Sequence, residues 1–338
     1  MISWILILII TFTRFTTCKN GYGFKSPPMG WNPYNAFTFA FNETIIKNQA
    51  DIIVTGGYLK VGYRYINLDD SWQAPNRTAD GTLSYNTDKF PSGIKALSEY
   101  IHGKGLLFGI YSDAGTETCG GLPGSLDHEE IDAKTFVEWG VDYLKYDNCY
   151  NKNRPEQERY QKMGKALKDA TKGTDKTIFY SICEWGQSNP WLWGPDVGNS
   201  WRTSVDINGF WTSILSIIDS QVRLTQYGGP GGWNDPDMLA VGFDVIPPIE
   251  QITHYAFWAA MKAPLILGCD LNKVNDASKA LILNKDIISV NQDPLGLSIC
   301  QVYYKTYNET SFDIWTGPLI DGYVASLYQK LYTLLTNY

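Results

Sequence analysis

Two segments of the sequence place an aspartate shortly after a cation. In the segment VDYLKYDN, the two-residue period of a strand puts Lys145 and Asp147 on one face. In the segment SWRTSVDI, the same period puts Arg202, Ser204 and Asp206 on one face. A cation within about 4–6 Å favours the ionised carboxylate and lowers its pKa, as an oxygen nucleophile requires. The competing interpretation of Lys145 and Asp147 is a structural ion pair.

Acidic side chains recur where strand-like runs end, whereas charges that only solvate the protein would favour helix surfaces. The residues in these positions are Asp69, Asp70, Asp113, Asp147, Glu184, Asp206 and Asp237. Two carboxylates from different strands can flank one bond, one as general acid and the other as nucleophile, as most glycosidases arrange them. The strand ends therefore predict hydrolysis of a glycosidic bond.

The distribution of tryptophan also favours a sugar ligand. Aromatic faces pack against the apolar face of a pyranose, while polar groups bond its hydroxyls. Six of the twelve tryptophans are clustered in the sequence, namely Trp185, Trp191, Trp193, Trp201, Trp211 and Trp233. The alternative is that these indoles belong to the core, and we expect this of at least half of them.

Eight strand-like runs alternate with helix-like stretches and must bring these side chains together. The strand-like runs span residues 28–35, 63–70, 106–113, 141–148, 178–185, 200–207, 231–238 and 264–271. The helix-like stretches span residues 93–104, 127–140, 155–171, 208–221, 249–261 and 276–286. Eight such units predict an α/β fold, a closed (β/α)8 TIM barrel whose catalytic groups lie at the carboxyl ends of the strands.

The C-terminal part of the sequence has a different pattern. The segments SICQVYYKTY, SFDIWTG and GYVASLYQK alternate in polarity between turn residues, which predicts an antiparallel sheet. We therefore assign residues 19–297 to the catalytic barrel and residues 298–338 to a partial, truncated C-terminal antiparallel β-domain. So few strands do not close a sandwich, and we expect an open edge and an exposed apolar face that lower stability. This apolar face would contain Val302, Ile314, Val324 and Leu327. The alternative is that the segment packs flat on the barrel.

Composition argues against several classes of protein. The 338 residues include 28 basic and 35 acidic side chains, giving a formal charge of −7. No basic patch is interleaved with aromatic residues, which argues against nucleic acid as a partner. The sequence has no H-E-x-x-H, C-x-x-C, Walker, G-x-S-x-G or G-x-G-x-x-G motif, and its three histidines are widely scattered. These absences argue against zinc proteases, nucleotide enzymes and serine hydrolases. For a glycosidase we expect no metal and no cofactor, and the oligomeric state stays open.

The N-terminal segment predicts export. An apolar run over residues 2–12 has the length of a secretory h-region and is shorter than the roughly 20 residues that span a bilayer. We interpret residues 1–18 as a signal peptide and expect no stable membrane anchor. The alternative is a buried N-terminal strand or helix. A secreted, vacuolar or lysosomal protein is also consistent with three glycosylation sequons, at Asn42, Asn76 and Asn308.

Five cysteines follow the predicted signal peptide. Cys119 and Cys149 both follow strand-like segments, where an oxidising compartment would allow a bridge. We expect Cys183, Cys269 and Cys300 to be unpaired or in the core.

Nine segments, in their order along the chain, resemble the family 27 glycoside hydrolases, the α-galactosidases and α-N-acetylgalactosaminidases. The segments are PPMGWN, YINLDDSW, GIYSDAGTETCGG, YLKYDNC, CEWG, WRTSVDI, GGWNDPDML, APLILGCDL and NQDPLG. The resemblance covers roughly residues 20 to 300 and implies a barrel followed by an antiparallel β-domain.

The resemblance also implies roles for individual residues. Asp147 corresponds to the nucleophile and Asp206 to the acid/base, while Cys119 and Cys149 match a bridged pair beside the site. The residues implied to bind the sugar or line its pocket are Tyr34, Asp69, Asp70, Tyr111, Lys145, Cys183, Trp185, Arg202, Asp237 and Met238. At two positions this sequence departs from the family pattern: Tyr34 replaces a usual tryptophan, and Ser71 replaces a frequent cysteine.

The segment Cys183-Glu184-Trp185-Gly186 favours galactose, because an indole at this position rejects a larger substituent at C2 by steric overlap. The expected activity is retaining hydrolysis of terminal α-D-galactose from oligosaccharides, galactolipids or galactomannans. One alternative is an α-N-acetylgalactosaminidase, and another is a truncated paralogue that binds galactose without turnover. For the retaining enzyme we expect carboxyl groups about 5–5.5 Å apart. We also expect the pKa of Asp206 to lie above that of Asp147, whose negative charge pushes it up.

Overall fold

The structure is a computed structural model that describes residues 23–307 and 310–331. The predicted signal peptide and the sequon at Asn308 lie outside the described residues, and the side chains of Val324 and Leu327 are not described either. Within the described residues, no helix combines the length and the apolar character that crossing a membrane requires.

Eight parallel strands form the central sheet. They are β1 (Met29–Trp31), β2 (Tyr65–Asn67), β3 (Leu107–Asp113), β4 (Tyr143–Asp147), β5 (Phe179–Ile182), β6 (Ser200–Arg202), β7 (Trp233–Asp235) and β8 (Leu265–Leu267). Each strand pairs with the next along the chain from β1 to β7, and β8 pairs with β1. Leu239, just after β7, forms a parallel bridge to Leu267 and completes the circle. The predicted barrel is therefore confirmed.

Ten helices accompany the strands in the described part of the chain. They are α1 (Tyr34–Phe37), α2 (Glu43–Thr55), α3 (Ile94–Gly103), α4 (Glu129–Glu138), α5 (Glu156–Thr171), α6 (Pro190–Trp193), α7 (Trp211–Gln221), α8 (Pro248–Ala260), α9 (Asp276–Ile282) and α10 (Lys285–Asn291). Short 3₁₀ helices lie at Leu59–Val61 and Gly194–Asp196.

Two features of the helical layer differ from the sequence prediction. Helix α2 was not predicted, although Asn42 caps it by accepting a hydrogen bond from the Ile45 amide at 3.0 Å. The predicted stretch 276–286 is two helices, α9 and α10. The side chain of Asn284 caps α10 by accepting hydrogen bonds from the amides of Asp286 and Ile287. The strong local hydrogen bonding of asparagine explains both boundaries.

Aromatic rings fill the interior of the barrel below the carboxyl ends of the strands. Tyr65, Tyr143, Phe179 and Trp233 form one buried cluster. The rings of Tyr143 and Phe179 stack with centroids 5.1 Å apart, and Trp233 stacks on Phe179 at 6.4 Å. This packed floor restricts any ligand to the upper end of the barrel, where the predicted acidic residues lie.

Three antiparallel strands follow the barrel, namely β9 (Cys300–Tyr307), β10 (Thr310–Leu319) and β11 (Gly322–Leu331). The fully buried Trp315 of this sheet contacts Phe257 of α8 edge-on, with ring centroids 5.6 Å apart, so one face packs on the barrel. Val302 and Ile314 are exposed, as expected. The boundary at residue 297 and the stability cost of the open edge stay predictions.

Candidate active site

A cavity of about 90 Å³ opens at the carboxyl ends of the strands. Eleven of the twelve residues predicted to act on or bind the sugar line it: Tyr34, Asp69, Asp70, Tyr111, Lys145, Asp147, Trp185, Arg202, Asp206, Asp237 and Met238. Cys183 lines a smaller, adjoining cavity of about 30 Å³ that shares Lys145 and Arg202 with the first. The fold therefore gathers the predicted set in one place, from seven strand ends.

Asp147 ends strand β4 and is almost completely buried. One carboxylate oxygen accepts a hydrogen bond from the Tyr111 hydroxyl at 3.0 Å, and the other accepts one from the Asn148 amide at 3.0 Å. Burial raises the pKa of Asp147 to about 6, while the Lys145 ammonium opposes this shift and the Asp206 carboxylate adds to it. Asp147 is therefore an oriented carboxylate in a poorly hydrated position, whose proton is lost near mildly acidic pH.

Asp206 lies beyond the end of β6, in the loop that follows Arg202. The prediction that Arg202, Ser204 and Asp206 share one strand face was wrong, because the strand ends at Arg202. The cavity is lined by Arg202 and Asp206 but not by Ser204. Arg202 reaches Asp206 directly, donating from Nη2 to the carboxylate at 2.9 Å. The side chain of Asp206 is 66% exposed, so it occupies the solvent side of the cavity.

One guanidinium nitrogen joins two carboxylates. The same Nη2 of Arg202 lies 3.1 Å from Asp237, whose carboxylate also accepts the amide hydrogens of Ile207 and Met238 at 2.7 Å each. Asp237 thereby holds the loop that carries Asp206 at two points, through the Arg202 side chain before Asp206 and the Ile207 amide after it. Arg202 is itself buried, which restricts its guanidinium to this position.

The relative pKa values of Asp147 and Asp206 are opposite to the sequence expectation. Burial acts to raise the pKa of Asp206, but the positive charges of Arg202 and Lys145 outweigh it and hold the pKa below its ordinary value. The sequence argument let the negative charge of Asp147 dominate and took Lys145 to act mainly on Asp147, and although it placed Arg202 on the same face as Asp206 it gave that cation no weight. In the unoccupied site the more basic carboxylate is thus the buried Asp147.

The direct ion-pair partner of Lys145 is Asp69 and not Asp147, which the sequence favoured. Its ammonium donates to Asp69 at 2.7 Å, and the same oxygen of Asp69 accepts a hydrogen bond from Asn32 at 2.7 Å. Lys145 and Asp147 do share the predicted face of β4, since both line the cavity, and Lys145 lowers the pKa of Asp147 through space. The neighbouring Asp70 accepts hydrogen bonds from the amides of Ser71 and Gly120. This end of the cavity therefore offers two fixed carboxylates and an ammonium, which suits the hydroxyls of a sugar.

A disulfide holds the loop that donates to Asp70. Cys119 and Cys149 are joined, with Cα atoms 5.2 Å apart, and Cys119 lines the cavity. Gly115 lies so close to the carbonyl of Cys149 that an added Cβ would stand 1.9 Å from that oxygen. Asp113 lies within 4.8 Å of both sulfurs, but the sulfurs are bonded to each other and are not thiolate ligands for a metal. As expected, the remaining described cysteines, Cys183, Cys269 and Cys300, are free.

Two residues that line the cavity have a strained backbone, and so does the residue that follows a third. Trp185 and Asp237 have φ of +59° and +83°, and Ser71, which follows Asp70, has φ of +83°. Such values are uncommon for residues other than glycine and persist only where the surroundings impose them. Hydrogen bonds from the Ser71 amide to Asp70 and from the Trp258 indole to the Asp237 carbonyl help to do so here.

The strand ends also carry acids that do not reach the cavity. Asp113 pairs in register with Asp147 across β3 and β4 and so shares its face, yet it does not line the cavity and accepts hydrogen bonds from the amides of Gly115 and Cys149. Glu184 is completely buried, and neither of its carboxyl oxygens has a hydrogen-bond partner. Glu184 alternates with the cavity-lining Cys183 and Trp185 and so points away from them, whereas local backbone amides hold the carboxylate of Asp113.

Sequence reasoning missed four residues of this region. Asn35, Phe39 and Ile207 line the cavity, and Asn32 holds Asp69 from behind. Asn32 and Asn35 lie in the segment that contains Tyr34, so proximity in sequence was an available signal. Of the six clustered tryptophans, Trp185 lines the cavity, whereas Trp193, Trp201 and Trp233 are buried in the core, as expected of at least half.

Comparison with known proteins identifies the architecture around this cavity. The sequence model of a melibiase family, described as α-galactosidase A, matches residues 26–293. The chain belongs to this family of glycoside hydrolases. Among its relatives, the α-galactosidase of Cyamopsis tetragonoloba is 49% identical over 91% of this chain and 73% of its own length. The α-galactosidase of Coffea arabica is 49% identical over 93% of this chain and 81% of its own length.

Solved structures of the α-galactosidase A family also match. The α-galactosidase of Saccharomyces cerevisiae in complex with raffinose superimposes with a TM-score of 0.85 at 35% identity, covering 92% of this chain and 75% of that one. α-Galactosidase I from Mortierella vinacea gives a TM-score of 0.86 at 38% identity, covering 91% of this chain and 82% of that one.

Proposed function

We propose that this chain is a retaining α-galactosidase that hydrolyses terminal, non-reducing α-D-galactose from oligosaccharides, galactolipids or galactomannans. The observation that carries the proposal is the pair of carboxylates from different strands, Asp147 and Asp206, that face one cavity in opposite environments. One is buried and hydrogen-bonded, and the other is ion-paired and largely exposed. This asymmetry suits one carboxylate that attacks carbon and another that exchanges protons at the solvent side.

In the proposed mechanism, Asp206 donates its proton to the glycosidic oxygen while Asp147 attacks the anomeric carbon. The bond between the anomeric carbon and the glycosidic oxygen breaks, and a galactosyl ester of Asp147 forms. Asp206, now a carboxylate, removes a proton from water, which attacks the anomeric carbon from the face that the aglycone left. Two inversions release α-galactose, with its configuration retained, and restore both carboxyl groups.

The reaction requires the proton on Asp206, although the free site favours it on Asp147. Substrate binding shifts both pKa values in the direction that moves the proton from Asp147 to Asp206. Asp206 is 66% exposed in the free site, so an aglycone that covers it removes water and raises its pKa. Positive charge that develops at the anomeric carbon stabilises ionised Asp147 and lowers its pKa. Because the two groups are coupled, the proton moves within the pair.

Galactose is preferred to N-acetylgalactosamine in this proposal. Trp185 lines the cavity on strained backbone, and Cys183 lines the adjoining space below, so this wall offers an indole rather than room for an acetamide. The raffinose complex of the Saccharomyces cerevisiae α-galactosidase supports an oligosaccharide as one substrate class. We further propose that the protein is secreted or vacuolar, consistent with the predicted signal peptide and with the disulfide beside the site.

The test is a comparison of hydrolysis rates for nitrophenyl α-galactoside and nitrophenyl α-N-acetylgalactosaminide by the wild type and two variants. We expect turnover of the galactoside only, and its loss by at least about 10³-fold in Asp147→Asn, because a neutral amide does not form the ester. The matched control is Asp113→Asn, which alters the carboxyl that pairs in register with Asp147 but lies outside the cavity. This variant should keep most of its turnover.

Faster hydrolysis of the N-acetylgalactosaminide would replace the proposed substrate. Galactose binding without turnover by the wild type would favour the non-catalytic paralogue. Retention of turnover in Asp147→Asn would remove Asp147 from the role of nucleophile.

A further inference from the structure

Phe39 is an apolar ring at the edge of the cavity to which the proposed mechanism gives no role. It lines the same cavity as Asp147 and Asp206, yet 42% of its surface is exposed. Its ring meets the Tyr34 ring edge-on, with centroids 5.8 Å apart. Phe41, two residues further along the chain, is by contrast completely buried, so the exposed ring in this segment is the one beside the cavity.

The loop that carries Phe39 is fixed by its surroundings. Helix α1 ends at Phe37, and Thr38 takes a φ of +48° before Phe39, which is uncommon for a β-branched residue. Lys89 donates from its ammonium to the Phe39 carbonyl at 2.6 Å. The same ammonium donates to the carbonyl and the hydroxyl of Ser71, at 3.0 and 2.9 Å. Because Ser71 follows Asp70, one cation ties the Phe39 loop to the sugar-binding end of the site.

A continuous series of contacts runs from the galactose end of the cavity to Phe39. The Lys145 ammonium is 2.7 Å from Asp69 and 5.7 Å from the centre of the Tyr34 ring, and Tyr34 in turn contacts Phe39. Asp206, which would protonate the glycosidic oxygen, lines the same cavity on its solvent side. The group attached to that oxygen therefore extends outward, to the mouth of the cavity, where both Asp206 and Phe39 have exposed surface.

We propose that Phe39 is a specificity-determining residue that, together with Tyr34, forms a platform for the sugar ring attached directly to galactose. This proposal rests on the proposed function and extends it to the leaving group. A pyranose ring suits the platform because its apolar face packs on an aromatic ring while its hydroxyls meet polar groups. Asn35, the residue after Tyr34, lines the same cavity and supplies such a group. An acyl chain would need a longer apolar surface than two rings provide.

The experiment compares two galactosides that differ only in the presence of the second ring. The value of kcat/KM is measured for melibiose and for methyl α-D-galactopyranoside, and their ratio is the readout. In Phe39→Ala this ratio should fall roughly 3- to 10-fold, through a higher KM for melibiose, which is the range expected for loss of one aromatic contact. Phe39→Tyr keeps the ring and should restore the ratio. The matched control is Tyr323→Ala, which removes an 80% exposed aromatic ring from the C-terminal sheet and should leave the ratio unchanged.

The possible failures are distinguishable. If the wild type hydrolyses neither galactoside, the proposed function is wrong and the platform is rejected with it. If the wild type hydrolyses both and the ratio is the same in Phe39→Ala, the platform alone is wrong. A lower kcat/KM of Phe39→Ala for octyl α-galactoside, with an unchanged melibiose ratio, would show that the ring binds an alkyl chain and would also overturn the proposal.

Discussion

Glu184 provides a quantitative test of how burial controls ionisation next to the active site. Its carboxyl group is completely buried between Cys183 and Trp185, and neither oxygen has a hydrogen-bond partner. Burial raises its pKa from an ordinary 4.5 to about 9, and the Glu156 carboxylate adds to the shift. The nearby Gly186 amide, which does not reach hydrogen-bonding geometry, and the Arg159 guanidinium act in the opposite direction without cancelling the shift.

The raised pKa predicts a loss of stability as pH rises. Between pH 4.5 and pH 9 the folded protein keeps the proton on Glu184, whereas the unfolded chain has lost it. The folded state therefore binds more protons, and the free energy of unfolding falls by about 1.4 kcal/mol per pH unit in this window. Between pH 5 and pH 8 the fall amounts to about 4 kcal/mol at most, and relaxation around the carboxyl group would reduce it toward about 2 kcal/mol.

Glu184→Gln removes the ionisable proton while it keeps the shape of the side chain. The unfolding free energy of this variant minus that of the wild type should increase by about 2–4 kcal/mol from pH 5 to pH 8. In thermal melts this increase amounts to several degrees in Tm. Thermal melts at both pH values measure this difference, and Glu130→Gln, which makes the same change at an exposed position of α4, is the matched control. An equal difference in Tm between variant and wild type at both pH values would refute the reasoning, as would an advantage that shrinks as pH rises.

Three further predictions follow from the cavity. Lys145→Met removes the cation that lowers the pKa of Asp147. Side chains two residues apart on a strand are about 7 Å apart, so at an effective dielectric constant of about 20 the Lys145 charge stabilises ionised Asp147 by roughly 2 kcal/mol. Without this charge the acid limb of the kcat/KM profile should move up by about 1–2 pH units. Lys273→Met, which alters an exposed ion pair, should not move it. Replacing both Cys119 and Cys149 by Ser opens a 30-residue loop, and we expect the unfolding free energy to fall by about 3–4 kcal/mol. Galactose should also inhibit this variant more weakly, because the Gly120 amide would no longer be held against Asp70. Unchanged inhibition would contradict the link between the disulfide and Asp70. Finally, the pH profiles of kcat and kcat/KM should differ, since substrate moves the proton to Asp206, whereas superimposable profiles would contradict that transfer.

The order and position of the barrel strands were predictable because their pattern is local. Buried parallel strands appear as short apolar runs, and each of the eight runs contains one observed strand. Helix α2 was missed although its apolar residues Ile46, Ala50 and Ile53 recur at helical spacing. The Asn42 cap and this periodicity are both present in the sequence, so this helix was predictable.

The membership of the cavity was also predictable, but its electrostatics were not. The sequence shows that Lys145 and Asp147 share a face, yet the ion partner of Lys145 is Asp69 from another strand, 76 residues away. The low pKa of Asp206 likewise depends on how the loop after β6 folds back toward Arg202. Such pairings are set by tertiary geometry, which the spacing of residues along a single strand does not determine.

Phe39 shows a third limit on what the sequence alone can predict. Nothing in its sequence neighbourhood distinguishes it from Phe37 or Phe41, which alternate with it along the segment. Its exposure at the cavity depends on the turn at Thr38 and on the contact between its carbonyl and Lys89, 50 residues away. An aromatic residue that forms a ligand platform is therefore recognised only when its exposed surface is known.

The central claim, that Asp147 forms a covalent galactosyl ester, is tested most directly by trapping that ester. A 5-fluoro-α-galactosyl fluoride reacts through the same first step, but the second fluorine slows hydrolysis of the intermediate. After digestion with trypsin and reduction of the disulfide, mass spectrometry should find the label on the peptide from Tyr146 to Lys152, and fragmentation should place it on Asp147. Label on any other carboxylate would contradict the account. So would an enzyme that never acquires label and that releases β-galactose from its substrate.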